Sequence, residues 1–294
     1  MVSWPPWVGA AVLALFALAV AVGLYASLVA PYALRLTRVD APVADLPPEL
    51  EGYTIAVLSD LHCGPTTTAR HAARAVALAR GARPDLVALV GDYAVSLRRT
   101  PRLNARLYGA AMRALDAPLR SLDAPDGAVA ILGNHDHYYD ADEVARWLAS
   151  LGVRVLVNES VTVRRGAAAL VVGGVDDYRE GRVDPAGGCD GAPPNAPTVV
   201  LAHNPDSVYA LTAPRRVDLV LAGHTHGGQI VLPVIGALTT HARVCTRHAA
   251  SGWVPNDRAP LYVSRGVGVQ HPPRFNCPPE VALVTLRRTG GVKQ

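Results

Sequence analysis

Beyond residue 52 the chain alternates short apolar runs with longer segments in which polar residues are frequent. Two Ala-rich segments, Thr68–Gly81 and Ala141–Leu151, show the pattern of helices and are closed by glycine residues. The apolar runs are rich in Val, Ile and Leu, and we predict strands at 53–58, 86–90, 128–132, 154–157, 169–172, 198–202 and 217–222. This alternation predicts an α/β fold whose central strands are buried and largely parallel.

The N-terminal part of the chain has a different pattern. Residues 7–30 form a run of 24 residues without a charge, and no charged residue or histidine occurs before Arg35. A helix needs roughly 20 apolar residues to cross the hydrocarbon core of a bilayer. Aromatic residues lie near both ends of the run, as in interfacial aromatic belts: Trp4 and Trp7, then Tyr25 and Tyr32.

Two other interpretations of this run were considered. A cleaved signal peptide has a charged first region and a shorter apolar core, and a buried helix of a soluble domain shows polar positions at helical spacing. The run has neither property, so we predict a single-pass anchor to the cell membrane. Arg35 and Arg38 on its C-terminal side favour a cytoplasmic position for the rest of the chain.

The segment that follows the anchor is rich in proline and polar residues, particularly at 40–52. Such a composition is typical of a linker. We therefore predict three parts: an anchor at 1–34, a linker at 35–52 and one α/β domain at 53–290.

Charge and cysteine content limit the possible functions. The formal net charge is +4, which suits an anionic substrate or an anionic membrane surface. Because no run of Lys and Arg is interleaved with aromatic residues, we expect no nucleic-acid partner. None of the four cysteines forms a C-x-x-C pair, which argues against a zinc ribbon and favours buried free thiols.

Several predicted strands are followed directly by residues that bind metals. In open α/β sheets, ligands bind beyond the carboxyl ends of the strands, so these side chains should meet at one edge. Carboxylate and imidazole groups together suit Zn, Mn and Fe. The residues concerned are Asp60, His62, Asp92, Asn134, His135, Asp136, His203, His224 and His226.

The spacing of these residues strengthens the prediction. D-x-H and H-x-H place two side chains on the same side of an extended segment. Glycines precede Asp92, Asn134 and His224, where they allow the backbone to turn sharply. A single such motif is common by chance, but the whole ordered set predicts a metal site. A carboxylate such as Asp92 could bridge two cations, which together would clamp an in-line displacement at phosphorus.

The ordered series D-x-H, G-D, G-N-H-D, a lone His and G-H-T-H resembles the calcineurin-like metallophosphoesterase superfamily. The sequences G-H-T-H-G-G-Q at 223–229 and N-C-P-P-E at 276–280 resemble a membrane-associated bacterial branch. That branch includes UDP-diacylglucosamine pyrophosphohydrolases and other phosphodiesterases. The resemblance implies a sandwich of two mixed β-sheets flanked by helices, here preceded by one transmembrane helix.

The resemblance also implies a role for each motif residue. Two divalent metal ions, Mn, Fe or Zn, would be bound, with Asp92 bridging them. Asp60, His62 and His226 would hold one ion, and the other would be held by Asn134, His203 and His224. His135 would not bind metal but would act on the scissile phosphate, and Asp136 would orient His135.

These roles lead to a hypothesis of function. A hydroxide that bridges the two ions would attack a phosphodiester or pyrophosphate, and His135 would assist the leaving group. Because the anchor concentrates the site near the bilayer, we expect a lipid-linked or nucleotide-linked phosphoester as the substrate. A protein or small-molecule phosphomonoesterase and a non-catalytic metal-binding scaffold are the alternatives.

Overall fold

The structure, a computed structural model, describes residues 5–189, 193, 195–211, 216–269 and 271–289. Within these ranges the α-helices are α1 (Pro6–Leu28), α2 (Ala69–Gly81), α3 (Pro101–Arg120), α4 (Asn134–Tyr139) and α5 (Ala141–Ser150). The strands are β1 (Arg35–Val43), β2 (Thr54–Leu58), β3 (Leu86–Val90), β4 (Ala128–Ile131), β5 (Arg154–Val155), β6 (Glu159–Arg165), β7 (Ala168–Gly174), β8 (Thr198–Ala202), β9 (Leu219–Ala222), β10 (Val231–Leu232), β11 (Gly236–Ala237), β12 (Gly252–Trp253), β13 (Leu261–Val263) and β14 (Glu280–Arg288).

Two mixed six-stranded sheets make up the centre of the described domain, and β10 and β11 form a separate two-stranded sheet. The first has the order β1-β14-β2-β3-β4-β5 and the second has the order β12-β13-β9-β8-β7-β6. Strands β2, β3, β4 and β5 run parallel in the first sheet, and β7, β8, β9 and β13 run parallel in the second. The predicted α/β sandwich with parallel central strands is therefore confirmed.

The main core lies between the two sheets. Because successive strand residues point to opposite faces, Ile55 and Val57 face the second sheet, whereas Ala56 and Leu58 face α2, α3 and α5. All four side chains are buried. Both faces of the first sheet are thus covered, which explains the continuous apolar runs of its parallel strands. Helix α3 was not predicted from the sequence. Together with α2 and α5 it covers the face of the first sheet that points away from the second sheet, and Tyr108 is one of its contact residues.

Residues 35–43 differ from the predicted linker. They form β1, which pairs in parallel with β14 at the edge of the first sheet. Val39, Ala41 and Val43 are buried while the residues between them are exposed, an alternation typical of a strand with one buried face. Pro42 is tolerated because an edge strand needs hydrogen bonds on one side only.

Helix α1 is long and apolar enough to cross a membrane, and almost all of its apolar surface is exposed. Trp4, one of the predicted interfacial aromatics, lies outside the described residues. The C-terminal end of the helix rests on the domain, where Ala26 and Ala30 are buried and the Tyr32 hydroxyl donates to the Thr66 carbonyl at 3.0 Å. Since β1 begins at Arg35, the helix joins the sheet through a short, partly packed segment.

The described cysteine side chains agree with the prediction of free thiols. Cys63, Cys245 and Cys277 are buried and unpaired with one another. Burial raises the pKa of the Cys63 thiol to about 11. The side chain of Cys189 lies outside the described residues.

Candidate metal centre

The nine predicted site residues lie together at one edge of the sandwich. Each follows the carboxyl end of a parallel strand: β2, β3 and β4 in one sheet, β8 and β9 in the other. All are buried except His224, which is half-buried. The parallel ends of two facing sheets therefore converge on one group of carboxylates, imidazoles and an amide.

The backbone at the site is unusually constrained. Asp60, His62 and Asp92 have positive φ values of 54°, 41° and 58°, in the left-handed region that residues other than glycine seldom adopt. Such conformations carry a cost and occur preferentially at functional sites. Gly91 has φ 81°, and a Cβ there would lie 2.6 Å from the Gly133 nitrogen. Glycine at this position lets the Asp92 and Asn134 loops approach closely.

One group of donor atoms comes from Asp60, His62 and His226. The Nε2 atoms of His62 and His226 lie 3.1 Å apart. The Asp60 Oδ1 atom is 3.8 Å from the first of these nitrogens and 3.4 Å from the second. These three side chains could hold one metal ion.

A second group comes from Asp92, His203 and His224. The Asp92 Oδ2 atom lies 3.2 Å from His203 Nε2, and His203 Nε2 lies 3.3 Å from His224 Nδ1. The same Asp92 oxygen is 3.6 Å from His62 Nε2 in the first group. Asp92 therefore occupies a position shared by both groups, and these donor atoms could hold a second ion.

The geometry fits metal ions at both groups. Donor atoms about 2.1 Å from one cation lie roughly 3.0–3.4 Å from each other, close to the separations found. The Nδ1–H group of His203 donates to the Val90 carbonyl at 2.8 Å, which leaves its Nε2 lone pair facing the other donors. Among the predicted site residues, which the structure describes in full, three buried polar atoms have no hydrogen-bond partner: Asn134 Oδ1, His62 Nδ1 and His224 Nε2.

Electrostatics also favour cation binding. Burial lowers the pKa of His62, His224 and His226 well below the usual value, so these imidazoles are neutral, as metal ligands must be. Burial alone would raise the pKa of Asp92, but the neighbouring His203 and His135 lower it strongly. Against the burial effect, the Asp92 charge raises the pKa of His203. A cation bound by both Asp92 and His203 would take the place of the proton that the raised pKa of His203 favours.

His135 lies beside the two donor groups and is oriented by Ser96. The main-chain N–H of Ser96 points at His135 Nδ1 from 3.3 Å, and the Ser96 hydroxyl donates to the His135 carbonyl at 2.5 Å. With Nδ1 accepting, the neutral ring carries its proton on Nε2. The ring stands edge-on to His62, with 4.8 Å between the ring centroids.

The structure contradicts the prediction that Asp136 orients His135. Its carboxylate accepts from the main-chain N–H groups of Asp92, Tyr93 and Gly133 at 2.9, 3.1 and 2.7 Å, and from the Tyr108 hydroxyl. Burial and the charge of Asp92 raise the pKa of Asp136 to about 6. Asp136 therefore ties together the loops that carry Asp92 and Asn134, while Ser96 contacts His135.

A pocket of about 240 Å³ opens onto the donor atoms. Besides the predicted site residues, its wall contains four polar side chains from other loops: Arg179, Gln229, His241 and His271. Arg179 was not predicted because it lies in the Gly- and Asp-rich segment 178–197, which has the composition of a surface loop. Only its position over the pocket identifies it.

Arg274 supports the site from behind. Its guanidinium is fully buried and donates to the carbonyls of Arg265 and Gly268 at 2.8 Å each. The same group lies 3.3 Å from His226 Nδ1. Main-chain oxygens thus stabilise the buried charge, and the arginine fastens the loop after β13 to the loop that carries His226.

The two-sheet sandwich and the paired donor groups at its strand ends define the class of metal-dependent phosphoester hydrolases. Residues 53–228 match the model of the family described as calcineurin-like phosphoesterase, and the chain belongs to this family. The family resemblance predicted from the motifs is therefore confirmed. The family is metal-dependent, in agreement with the clustered donor atoms.

Named relatives share most of the domain. A "Phosphodiesterase YaeI" of Escherichia coli (strain K12) is 31% identical over 80% of this chain and 82% of its own length. A "Transmembrane protein with metallophosphoesterase domain" of Bos taurus is 33% identical over 66% of this chain, which spans only 45% of that relative. An "Uncharacterized metallophosphoesterase YkuE" of Bacillus subtilis (strain 168) is 29% identical over 90% of both chains.

Proposed function

We propose that the protein hydrolyses phosphodiesters or pyrophosphates at a membrane, using two divalent metal ions. The position of Asp92 carries this proposal, since its Oδ2 atom faces both donor groups, at 3.6 Å from His62 Nε2 and 3.2 Å from His203 Nε2. One carboxylate shared between two sets of imidazole donors is the arrangement that a pair of cations requires. The E. coli relative named a phosphodiesterase supports the choice of a diester.

The donor groups support one assignment of ligands to the two ions. Asp60, His62 and His226 would hold one, while the other would be bound by Asn134, His203 and His224; Asp92 would contact both. Mn, Fe and Zn suit these carboxylate, amide and imidazole groups. When bound, such ions lower the pKa of water and neutralise charge that develops on phosphoryl oxygens.

His135 would serve the leaving group. Because Ser96 occupies Nδ1, the proton on Nε2 is the one available to the pocket. In the imidazolium form, whose Nδ1–H faces the Ser96 hydroxyl at 3.4 Å, the ring would donate the Nε2 proton to the departing alkoxide and become neutral. Asp136 would act as a positioning residue, since its four hydrogen bonds hold the loops of Asp92 and Asn134 in place.

The place of hydrolysis is proposed to be the cell membrane. Helix α1 is long enough to span a bilayer, and the Bos taurus relative is named a transmembrane protein. A site joined to such a helix would meet lipid-linked or nucleotide-linked phosphoesters. Arg35 and Arg38 after the helix favour a cytoplasmic domain.

The reaction class can be tested on the full chain in detergent micelles. The full chain is used because a chain that began at residue 40 would lose about half of β1. After loading with Mn²⁺, turnover of bis(p-nitrophenyl) phosphate is compared with that of p-nitrophenyl phosphate. We expect diester turnover that a chelator abolishes and added Mn²⁺ restores. Faster hydrolysis of the monoester would favour a phosphomonoesterase, and absent turnover with two ions bound would favour a scaffold.

Arg179 is proposed to bind a substrate phosphate. It lines the pocket, and Asp177 fixes its loop by accepting from the main-chain N–H groups of Arg179 and Glu180, at 2.9 Å each. Arg179→Ala should raise KM for the diester about tenfold with little change in kcat, because a charge-assisted hydrogen bond is worth roughly 1.5 kcal/mol. Steady-state kinetics on the Mn²⁺-loaded protein measure both constants.

Arg182→Ala is the matched control, since this exposed arginine lies in the same loop and is not part of the pocket wall. It should leave KM unchanged. Equal effects of the two substitutions would show that general surface charge, not a direct contact, is responsible.

A further inference from the structure

An exposed apolar turn lies beside the pocket. Strands β10 and β11 form a short antiparallel hairpin, and the segment Pro233–Leu238 contains its turn. Val234 is 95% exposed, Ile235 49% and Leu238 46%. Three large apolar side chains in one turn are more than the scattered single exposures that water-facing surfaces usually carry.

The backbone of this turn makes its composition more informative. Val234 has φ 68°, and the Ile235 N–H donates to the Pro233 carbonyl at 2.8 Å across it. Glycine or asparagine adopts this conformation at lower cost, and either would also be more soluble. A β-branched apolar side chain here has both a conformational and a solvation cost in water. An apolar surrounding would remove the second of these costs.

The hairpin is joined to the end of helix α1 by a chain of main-chain hydrogen bonds. Val231 N–H donates to the Phe275 carbonyl at 3.0 Å, and the adjacent Arg274 N–H donates to the Ala26 carbonyl of α1 at 2.9 Å. Ala26 and Ala30 are buried against the domain. The apolar turn is thus held close to the place where the membrane-spanning helix meets the domain.

The charge around the hairpin suits an anionic bilayer surface. No Asp or Glu occurs between Asp218 and Asp257 in the sequence. Arg243, Arg247 and His248 in this stretch are exposed, and the Ala237 N–H donates to the Arg247 carbonyl at 2.7 Å. Basic side chains close to an inserted apolar turn attract anionic lipid headgroups.

Both ends of the hairpin reach the pocket. Gln229 precedes it and His241 follows it, and both line the pocket wall. The Gln229 side-chain amide also donates to the carbonyl of His271, a third wall residue, at 2.8 Å. The hairpin is therefore continuous with the pocket wall, and a bilayer that receives its turn would lie beside the pocket.

We propose that the turn Pro233–Leu238 inserts into the lipid bilayer beside α1 and holds the pocket at the level of the headgroups. The site then takes phosphoesters whose phosphate lies within the membrane surface, such as glycerophospholipid diesters. The membrane contact stands on the geometry of the hairpin and α1, while the substrate class rests on the proposed phosphodiesterase function.

Insertion is tested with the full chain in nanodiscs of phosphatidylcholine and phosphatidylglycerol at about 3:1, a composition that supplies anionic headgroups. Val234→Trp introduces a fluorophore at the turn. Val157→Trp is the matched control, because Val157 is also exposed and follows β5 at the sheet edge opposite β1. Brominated phosphatidylcholine should quench the tryptophan of the first variant above the parent level and leave that of the second unchanged.

The contribution to substrate choice is tested with Val234→Asp. Turnover of a headgroup-labelled phosphatidylethanolamine in the nanodisc should fall about tenfold, because a charge replaces an inserted apolar side chain. Turnover of soluble bis(p-nitrophenyl) phosphate should stay at the parent level. Val157→Asp should affect neither substrate.

The outcomes separate the two proposals. Equal quenching at positions 234 and 157 overturns membrane insertion, even if both diesters are hydrolysed. Absence of quenching at position 234 together with a dimeric mass in the nanodisc also overturns it, since a second copy would then cover the turn. Selective quenching without any diester turnover by the parent supports insertion and instead overturns the proposed enzymatic function.

Discussion

Asp92→Asn should lower turnover of the diester about 10³-fold and remove at least one of the two metal ions. The Oδ2 atom of Asp92 is the donor shared by both groups, at 3.2 Å from His203 Nε2 and 3.6 Å from His62 Nε2. An amide in its place lacks the negative charge that stabilises two adjacent cations. Loss of metal assistance is worth several kcal/mol at the transition state, hence the size of the effect.

Metal content by inductively coupled plasma mass spectrometry and initial rates on the same samples measure both consequences. Asp257→Asn is the control, because Asp257 is exposed and pairs with the adjacent Arg258, far along the chain from the site residues. Asp92 also has a structural contact, because its Oδ1 atom accepts from the His135 N–H at 2.9 Å. A melting curve therefore has to show that the Asp92 variant still folds. Two ions retained in a folded variant with low activity would contradict the bridging role.

His135→Ala should lower turnover by about 10²–10³-fold while metal content stays at the parent level. This effect is the usual size of a general acid contribution. Ser96 holds the ring through Nδ1, so the Nε2 proton is lost with the side chain while the donor groups around Asp60 and His203 remain. The combination of full metal content and low activity separates this variant from Asp92→Asn.

The leaving group gives a sharper criterion. If His135 donates a proton, a diester with an alkyl leaving group should lose much more rate than one with p-nitrophenol, which departs readily as an anion. His137→Ala is the matched control, because the His137 ring contacts Asp176 at 2.8 Å and is not in the pocket wall. Equal losses with both leaving groups would reject a proton-donor role, and loss of an ion would make His135 a ligand.

The sequence was sufficient where the information is local. Apolar runs such as those of β2 and β3 are buried on both faces, so their composition alone identifies them as central parallel strands. Residues that directly follow such strands must lie at the same edge of a sheet. For this reason the motifs around Asp60, Asp92 and His224 predicted a common site before any contact between them was known.

Distant partners explain the predictions that were wrong. Strand β1 looks like a linker because its partner β14 lies more than two hundred residues away in the chain, and only that pairing makes the alternation of Val39, Ala41 and Val43 meaningful. Asp136 is adjacent to His135 in sequence, yet helix α4 directs its carboxylate to the N–H groups of Asp92 and Tyr93. Neighbours in a helix point in different directions.

The sequence by itself determined the central parallel strands, a common position for the candidate metal ligands, the family and a helix long enough to cross a membrane. Tertiary structure decided what lies opposite these elements: Ser96 at His135, Arg179 over the pocket, and the Val234 turn near the end of α1. The physical reason is the range of the interactions. Periodicity and strand-end position are properties of a few consecutive residues, whereas ring orientation, pocket walls and surface patches depend on residues that only folding brings together.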